Sequence, residues 1–272
     1  MEYTGYMNWV PTSEELSKFY QNGTCPIELV ENEYLILRDE FEKAFDYYHK
    51  TEGKLEKVPY TKVGARDFDV LKPRNPEQYC AFYSLMNPKT TIKLITGTWG
   101  TGKTCSVVAA ANQMLSEDKF DKIVWVRNNI ELKDTSPIGA LPGDLHSKLL
   151  PYLGPFIDHT TEEYTMELIE KGKLTVEHLG FLRGRDFKHS ILIVTEAENL
   201  TLSQLQLIIA RLGEGSILMM DADVRQRDKK VFEDSRGIET MIDRLAGEEL
   251  FETVKLVKTE RSASSALADK LN

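Results

Sequence analysis

The chain has 272 residues, of which 41% are hydrophobic and 28% are charged, and its net charge at pH 7 is −9. This length suits one domain with a full hydrophobic core plus a smaller flanking module, and the composition excludes a chain that is disordered throughout. The negative charge argues against a surface that binds nucleic acid everywhere, although a local basic channel is compatible with it.

The N-terminus has no basic segment followed by an apolar one, and no apolar run reaches the length that a membrane span requires. Three widely spaced cysteines, Cys25, Cys80 and Cys105, form no C-x-x-C pair. This pattern predicts a reduced compartment without disulfides or a zinc site. We therefore expect a cytoplasmic protein that does not associate with membranes.

Residues 1–72 are more acidic than the rest of the chain and predict a mostly helical N-terminal module that ends in a linker. The stretch TSEELSKFYQ carries a capping-box pattern at Ser13, and residues 31–53 space apolar side chains roughly as a helix does. Prolines after residue 58 then break the pattern. The alternative is an extension that only stabilises the core.

Residues 73–272 alternate two kinds of segment. Short apolar segments rich in β-branched residues are TIKLIT, KIVWVR, SILIVT, SILMMD and FETVKLV, and helical segments such as KTCSVVAAANQML and LSQLQLIIARL lie between them. Continuous apolar strands that alternate with helices are typical of a parallel sheet covered on both faces. The predicted fold class of this core is therefore α/β, a parallel sheet flanked by helices.

A glycine-rich segment, GTWGTGKTC, follows the first of these strands and opens a helix. It satisfies the pattern G-x-x-x-x-G-K-[ST] of a phosphate-binding loop, in which glycines let backbone N–H groups turn inward toward phosphate oxygens. Lys103 is expected to neutralise charge between the β- and γ-phosphates, and the Thr104 hydroxyl is expected to bind Mg²⁺. The predicted loop residues are Gly97, Thr98, Trp99, Gly100, Thr101, Gly102, Lys103, Thr104 and Cys105.

Further candidates come directly after the later strands, because ligands of open parallel sheets bind beyond the carboxyl ends of the strands. Thr195 stands where an Asp ordinarily helps to hold Mg²⁺, and Glu196 is placed to polarise the attacking water and to contact Mg²⁺ partly through water. Otherwise Glu196 is a solvated acid at a strand end. Asp221, Asp223 and Gln226 end the next strand; Gln226 is suited to the γ-phosphate or its water, and Asp221 to the carboxylate role missing at Thr195.

Arginines and one glutamine complete the candidate set. Arg127 and Glu131 follow KIVWVR, and other arginines near apolar segments are Arg183, Arg185, Arg211 and Arg261. Singly, each suits an ordinary solvated or salt-bridged position; as a group, we expect one or two to contact the triphosphate, from the same chain or across a subunit boundary. Gln78 precedes the loop and is predicted to pair with the adenine edge through its donor and its acceptor.

In chain order, GTWGTGKT, IGALPGDLHSKLLPYLGPFID, LRGRDF, TEAENLT, RLGEGS and DADVRQRD resemble the PhoH-like P-loop ATPases, from about Pro76 to Ser262. The chain is similar in size to short stand-alone members, including those of bacteriophages. The resemblance implies a RecA-like ATPase core similar to superfamily-one helicases, often assembled as a hexameric homo-oligomer. It also implies ATP and Mg²⁺ as cofactors, and single-stranded RNA or DNA as a partner.

The same resemblance assigns roles to single residues. The matches are Glu196 with the acid of a DEAQ-like motif, Asp223 and Gln226 with GD-x-x-Q, Arg183 and Arg185 with RGR, Arg211 with T-R-[IL]-G and Arg261 with a C-terminal R-S. The departures are Thr195 for Asp, Glu198 for Gln, Asp221-Ala222 for Thr-Gly and Asn128 for Pro. These departures concern Mg²⁺ affinity and turnover more than nucleotide binding, which depends mainly on backbone donors and Lys103.

Three functions are compatible with these residues. The first is Mg²⁺-dependent ATP hydrolysis coupled to remodelling of single-stranded RNA or DNA, with Lys103, Glu196, Gln226, Arg211 and Arg261 as the catalytic group. The second is an ATP-binding structural or regulatory oligomer with little hydrolysis, because Thr195 is neutral. The third is a small-molecule kinase, for which the RGR arginines are the one indication.

Overall fold

The computed structural model describes residues 2–64, 70–127, 150–224 and 236–260. They form a four-stranded sheet near the N-terminus and a six-stranded sheet in the remainder of the chain.

The N-terminal module is built mainly of strands. Its elements are β1 (Tyr6–Trp9), α1 (Ser13–Asn22), β2 (Tyr34–Arg38), β3 (Ala44–Thr51) and β4 (Lys54–Lys57). The strands lie in the order β1-β2-β3-β4; β1 runs parallel to β2, and the other two pairs are antiparallel. The prediction of a mostly helical module is therefore wrong.

The error lies in residues 31–53, which form strands β2 and β3 and the turn that follows them. Tyr34 to Leu37 are fully buried, as in a strand that is covered on both faces. Thr51 pairs with Lys54 across a two-residue turn whose residues both have positive φ, as a tight hairpin requires. The Glu-Gly pair at 52–53 was the local hairpin signal, and it outweighs an apparent helical period.

Helix α1 is present where it was expected, but its cap differs by one residue. The Thr12 side chain accepts a hydrogen bond from the Glu15 backbone N–H at 3.3 Å, and the Thr12 N–H donates to the Glu15 carboxylate at 2.7 Å. This reciprocal pair is a capping box centred on Thr12 rather than Ser13. The helix packs Phe19 against Trp9 in a small apolar cluster under the sheet.

The core sheet has six strands, β5 (Ile92–Gly97), β6 (Lys122–Arg127), β7 (Leu174–His178), β8 (Ser190–Val194), β9 (Ile217–Ala222) and β10 (Phe251–Leu256). Their order is β10-β5-β9-β8-β6-β7, and every neighbouring pair is parallel. The five predicted strands and the α/β class are confirmed. Strand β7 was not predicted: it lies at the sheet edge, and only Leu174 in it is buried.

Helices cover both faces of this sheet. They are α2 (Pro76–Met86), α3 (Lys103–Ser116), α4 (Gly154–Ile157), α5 (Glu162–Glu170), α6 (Leu202–Ile209) and α7 (Gly237–Leu245). Ile95 of β5 belongs to the apolar cluster that contains α2 to α5, whereas its neighbour Leu94 belongs to the cluster of α6 and α7. This alternation across one strand places the core on the two faces of the sheet.

A buried polar network joins the N-terminal module to the core at β10. The Glu252 carboxylate accepts hydrogen bonds from the Tyr34 hydroxyl, from Asn87 Nδ2 at 3.1 Å and from Thr90 Oγ1 at 2.7 Å. Asn32 Nδ2 lies within 3.0–3.1 Å of three carbonyls at the start of β10. The module therefore packs on the core through satisfied polar groups as well as apolar ones.

Lys93 lies fully buried beside this network. Its Nζ donates at 2.7 Å to the carbonyls of Ser84 and Asn87 and to Thr90 Oγ1, so all three ammonium hydrogens are used. Burial lowers the pKa of Lys93 to about 8, against the opposing effect of Glu252. Through these bonds Lys93, in β5, stabilises the turn between α2 and β5. Strand β5 in turn leads into the glycine-rich loop.

Candidate nucleotide-binding site

The glycine-rich loop connects β5 to α3 and closes on itself. The Thr101 hydroxyl donates to the Thr98 carbonyl at 2.8 Å, and Lys103 Nζ donates to the same carbonyl at 2.9 Å. Gly97 has φ +148°, and a Cβ there would lie 2.4 Å from the Leu256 carbonyl of β10, so only glycine fits. The glycine at 97 and the two bonds to the Thr98 carbonyl therefore fix the path of the loop.

The loop borders a cavity of about 790 Å³ at the carboxyl ends of β5, β8 and β9. Six of the predicted loop residues line it, namely Trp99, Gly100, Gly102, Lys103, Thr104 and Cys105. The predicted residues Gly97, Thr98 and Thr101 are not in the cavity wall, and Thr101 is fully buried behind it. A cavity at this place agrees with the rule for ligand sites in open parallel sheets.

Four carboxylates face the loop across this cavity. They are Glu196, Glu198, Asp221 and Asp223. The Glu196 N–H donates to Asp221 Oδ1 at 3.1 Å, and the Asp223 N–H donates to Glu198 Oε2 at 2.8 Å. These two bonds tie the loop after β8 to the end of β9. Thr195 is half-buried and does not line the cavity.

Burial raises the pKa of two of these acids. Desolvation raises the pKa of Asp221 to about 6, while Lys103 and the Thr104 hydroxyl act in the opposite direction. Desolvation also raises the pKa of Glu198 to about 8, although the Asp223 N–H lowers it. Glu198 is therefore mostly protonated at neutral pH, which makes it neutral like the Gln that the resemblance would place there.

Cys105 opens helix α3 inside the cavity wall, but burial raises the pKa of its thiol. The thiol is therefore not poised to react as a thiolate. Gln78 also lines the cavity, and its amide is already engaged: Oε1 accepts from the Arg74 N–H at 2.9 Å, and Nε2 donates to the Thr101 carbonyl at 3.1 Å. Its adenine-reading role stays a prediction, and its observed contacts brace the loop.

Glu260, which the sequence analysis missed, lies directly beside the loop. Its N–H donates to the Gly100 carbonyl at 2.8 Å, its carboxylate accepts from Asn75 Nδ2 at 2.9 Å, and it lines the cavity. It follows β10, which pairs with β5. The signal for Glu260 in the sequence is its place shortly after the strand FETVKLV, because ligands of open parallel sheets lie beyond the strand ends. His159 also lines the cavity, and no sequence pattern marks it.

The structure does not bring Arg183, Arg185 or Arg211 to the cavity of their own chain. Arg211 follows α6 at the amino ends of the strands, and its Nη1 donates to the Arg185 carbonyl at 3.4 Å. Arg185 pairs with Glu177 through two bonds of 3.1 and 3.3 Å, and Arg183 is exposed. None of these three arginines lies at the cavity of its own chain, so contact of one or two arginines of the group with the triphosphate, from the same chain or across a subunit boundary, stays a prediction.

Several predicted residues lie outside the described ranges, namely Asn128, Glu131, Gln226 and Arg261, together with most of the segment IGALPGDLHSKLL. The Arg127 side chain is also not described. Within the described ranges, His, Cys, Asp and Glu form no cluster of three that could hold a metal by itself. In the same ranges, no helix has the length and apolar character needed to cross a membrane.

Comparison with known proteins agrees with the cavity and its loop. Residues 70–268 match the family described as PhoH-like protein. Protein PhoH2 of Bacillus subtilis is 27% identical over 99% of this chain and 64% of its own length. Protein PhoH2 of Thermobispora bispora is 29% identical over 76% of this chain and 49% of its own length. A PhoH-like protein of Synechocystis sp. is 35% identical over 52% of this chain and 43% of its own length. The chain spans less than two thirds of the length of these relatives.

Proposed function

Because the chain belongs to the PhoH-like protein family, whose members have a nucleotide-binding P-loop, we propose that it binds ATP with Mg²⁺ and hydrolyses it in the cavity described above. One observation carries the proposal: Lys103 and Thr104 of the P-loop line the same cavity as four carboxylates, Glu196, Glu198, Asp221 and Asp223. Phosphate binding and water activation require these two sets of groups on opposite sides of the γ-phosphate.

The chain's own residues divide the work. Backbone N–H groups of the loop and the N-terminus of α3 receive phosphate oxygens. Lys103 exchanges its bond to the Thr98 carbonyl for one to the β- and γ-phosphates. Bound Mg²⁺ would neutralise charge on the phosphates, and Thr104, with Glu196 partly through water, is suited to hold it. Glu196, which lies exposed at the cavity, orients the attacking water.

We further propose that the chain couples this activity to single-stranded nucleic acid. A second cavity of about 370 Å³ adjoins the first, shares Arg74 with it, and is lined by Arg38, Lys43, Tyr47 and Tyr79. Lys43 and Arg74 are exposed and have no ion pair among the described residues. The tyrosine rings stack on each other at 4.0 Å. Cations beside aromatic rings are the elements with which proteins bind single strands.

The alternative is an ATP-binding structural or regulatory oligomer that hydrolyses slowly. Two observations favour it: residue 195 at the end of β8 is a neutral threonine, and no described arginine side chain other than that of Arg74 lines the cavity of its own chain. A homo-oligomer such as a hexameric ring would supply arginines such as Arg211 from a neighbour. Both functions share the same ATP site and differ in turnover.

Phosphate release with and without single-stranded RNA distinguishes the two. Turnover by the wild type that disappears in Lys103→Ala and Glu196→Gln supports hydrolysis, provided that both variants keep the wild-type melting temperature. Glu163→Gln, an exposed acid on α5, is the matched control and should keep full turnover. Tight ATP binding without phosphate release in the wild type supports the alternative instead.

A further inference from the structure

The ends of β8 and β9 differ in the groups that they bring to the P-loop. Strand β9 lies between β5 and β8, and its residue Asp221 pairs in register with Ile95 of β5, two residues before Gly97. Thr195, at the end of the more distant β8, is neutral and lies outside the cavity wall. Of the two strand ends, β8 and β9, it is therefore β9 that brings a carboxylate beside the P-loop strand.

Asp221 has an incompletely satisfied oxygen inside the cavity. Its side chain is 3% exposed and lines the cavity, and Oδ1 accepts the Glu196 N–H at 3.1 Å. The Thr104 hydroxyl interacts with this carboxylate, but Oδ2 makes no hydrogen bond of regular geometry within the described residues. A buried carboxylate oxygen without a regular hydrogen bond is costly, so it indicates a missing ligand. Lys103 and Thr104 both lie close enough to influence this carboxylate.

From this placement we infer that Asp221, rather than the residue at 195, is the carboxylate that holds Mg²⁺, directly or through a bound water, beside Thr104. The inference rests on the proposed ATP binding. Mg²⁺ takes oxygen ligands, keeps several waters and needs only one or two carboxylates when nucleotide phosphates complete its shell. The described residues form no metal cage of their own, which agrees with a cation that arrives with the nucleotide.

The same carboxylate also fixes the residue that orients water. Glu196 has φ +54°, a left-handed conformation that is strained for a residue other than glycine, and its N–H is held by Asp221 Oδ1. One side chain therefore presents one oxygen to the backbone of Glu196 and the other to the cavity. Metal binding and water positioning are coupled through Asp221.

Asp221→Asn tests the assignment, because the amide keeps an oxygen for the Glu196 N–H but removes the charge. Calorimetry measures ADP affinity in Mg²⁺ and in EDTA, and electron paramagnetic resonance measures Mn²⁺ affinity in the presence of ADP. We expect Mn²⁺ affinity to fall about 10- to 100-fold in Asp221→Asn, while ADP affinity in EDTA does not fall. Asp243→Asn, the same change at an exposed site on α7, should leave both unchanged.

A second variant moves the charge to the neighbouring strand. In the double variant Thr195→Asp with Asp221→Asn, Mn²⁺ affinity should recover at least in part. If Asp221→Asn does not fold, Asp221→Ser takes its place in these measurements. Unchanged Mn²⁺ affinity in folded Asp221→Asn overturns the assignment and leaves ATP binding intact. If the wild type binds no ADP in either buffer, the proposed function fails, and this inference fails with it.

Discussion

Gln78 offers a sharp test of how the P-loop is held, because its two observed hydrogen bonds compete with the role predicted for it. Gln78→Leu keeps the approximate volume of the side chain and removes both bonds, one to the Arg74 N–H and one to the Thr101 carbonyl. A typical hydrogen bond contributes about 1 kcal/mol net, and a buried group left without a partner costs about 1–3 kcal/mol.

The expected loss follows from the surroundings of each partner. Arg74 is exposed, so water can replace the amide at its N–H, whereas Thr101 is fully buried. We therefore expect Gln78→Leu to lower the free energy of unfolding by about 2–4 kcal/mol. At about 2–4 °C per kcal/mol for a domain of this size, the melting temperature falls by about 4–16 °C. Gln206→Leu, an exposed change on α6, should have little effect.

Nucleotide-binding measurements distinguish two roles of Gln78, namely stabilising the loop and recognising the adenine base. If Gln78 braces the loop, fluorescence titrations with labelled ATP and GTP show affinities that fall by the same factor, since both share the phosphates. If Gln78 reads adenine, only the ATP affinity falls. An unchanged melting temperature together with a loss confined to ATP would refute the bracing role.

The remaining predictions concern three other sites. Lys43→Glu should weaken binding of a labelled single-stranded oligonucleotide about tenfold, as fluorescence anisotropy would show. Equal binding by Lys43→Glu and by its control on the same sheet, Lys54→Glu, would contradict a nucleic-acid site at the second cavity. The pKa of Lys93 is lowered to about 8 in the folded protein, so above that pH the unfolded chain binds more protons than the folded one. The free energy of unfolding of the wild type should therefore rise from about pH 8 to pH 10 relative to that of Lys93→Met, as urea denaturation would show. ATP should slow alkylation of Cys105, which lines the cavity, but not of Cys25, and mass spectrometry showing no protection would place the nucleotide elsewhere.

The core sheet was predictable because its strands are long runs of buried apolar residues. Such runs as ILIV in β8 and ILMM in β9 are typical of parallel strands covered on both faces. Strand β7, at the edge, lacks this signal. In the N-terminal module, the apolar residues of β2 and the aromatic residues of β3 happen to recur at intervals close to a helical turn, and a two-residue turn reverses the chain between β3 and β4.

The part of the candidate site that was predictable consists of residues next to strands that the sequence reveals. The loop, Glu196 and the acids after β9 each stand beside a recognisable strand, so the sequence placed them at one edge. The contacts of Gln78 and Glu260 with the loop depend on how α2 and the end of β10 pack, which no local pattern encodes. The distance of Arg211 from the cavity follows likewise from the direction in which α6 runs across the sheet.

The junction near residue 73 marks a change in sequence character, yet it is a poor place to cut the chain. Glu252 lies on the second part, while its hydroxyl partner Tyr34 lies on the first. Removal of residues 1–72 would leave the Glu252 carboxylate with fewer hydrogen-bond partners and would expose the apolar side of α2 around Cys80 to solvent. A fragment that lacks residues 1–72 should therefore be less soluble than the full chain, because the core depends on the N-terminal module to cover this apolar surface.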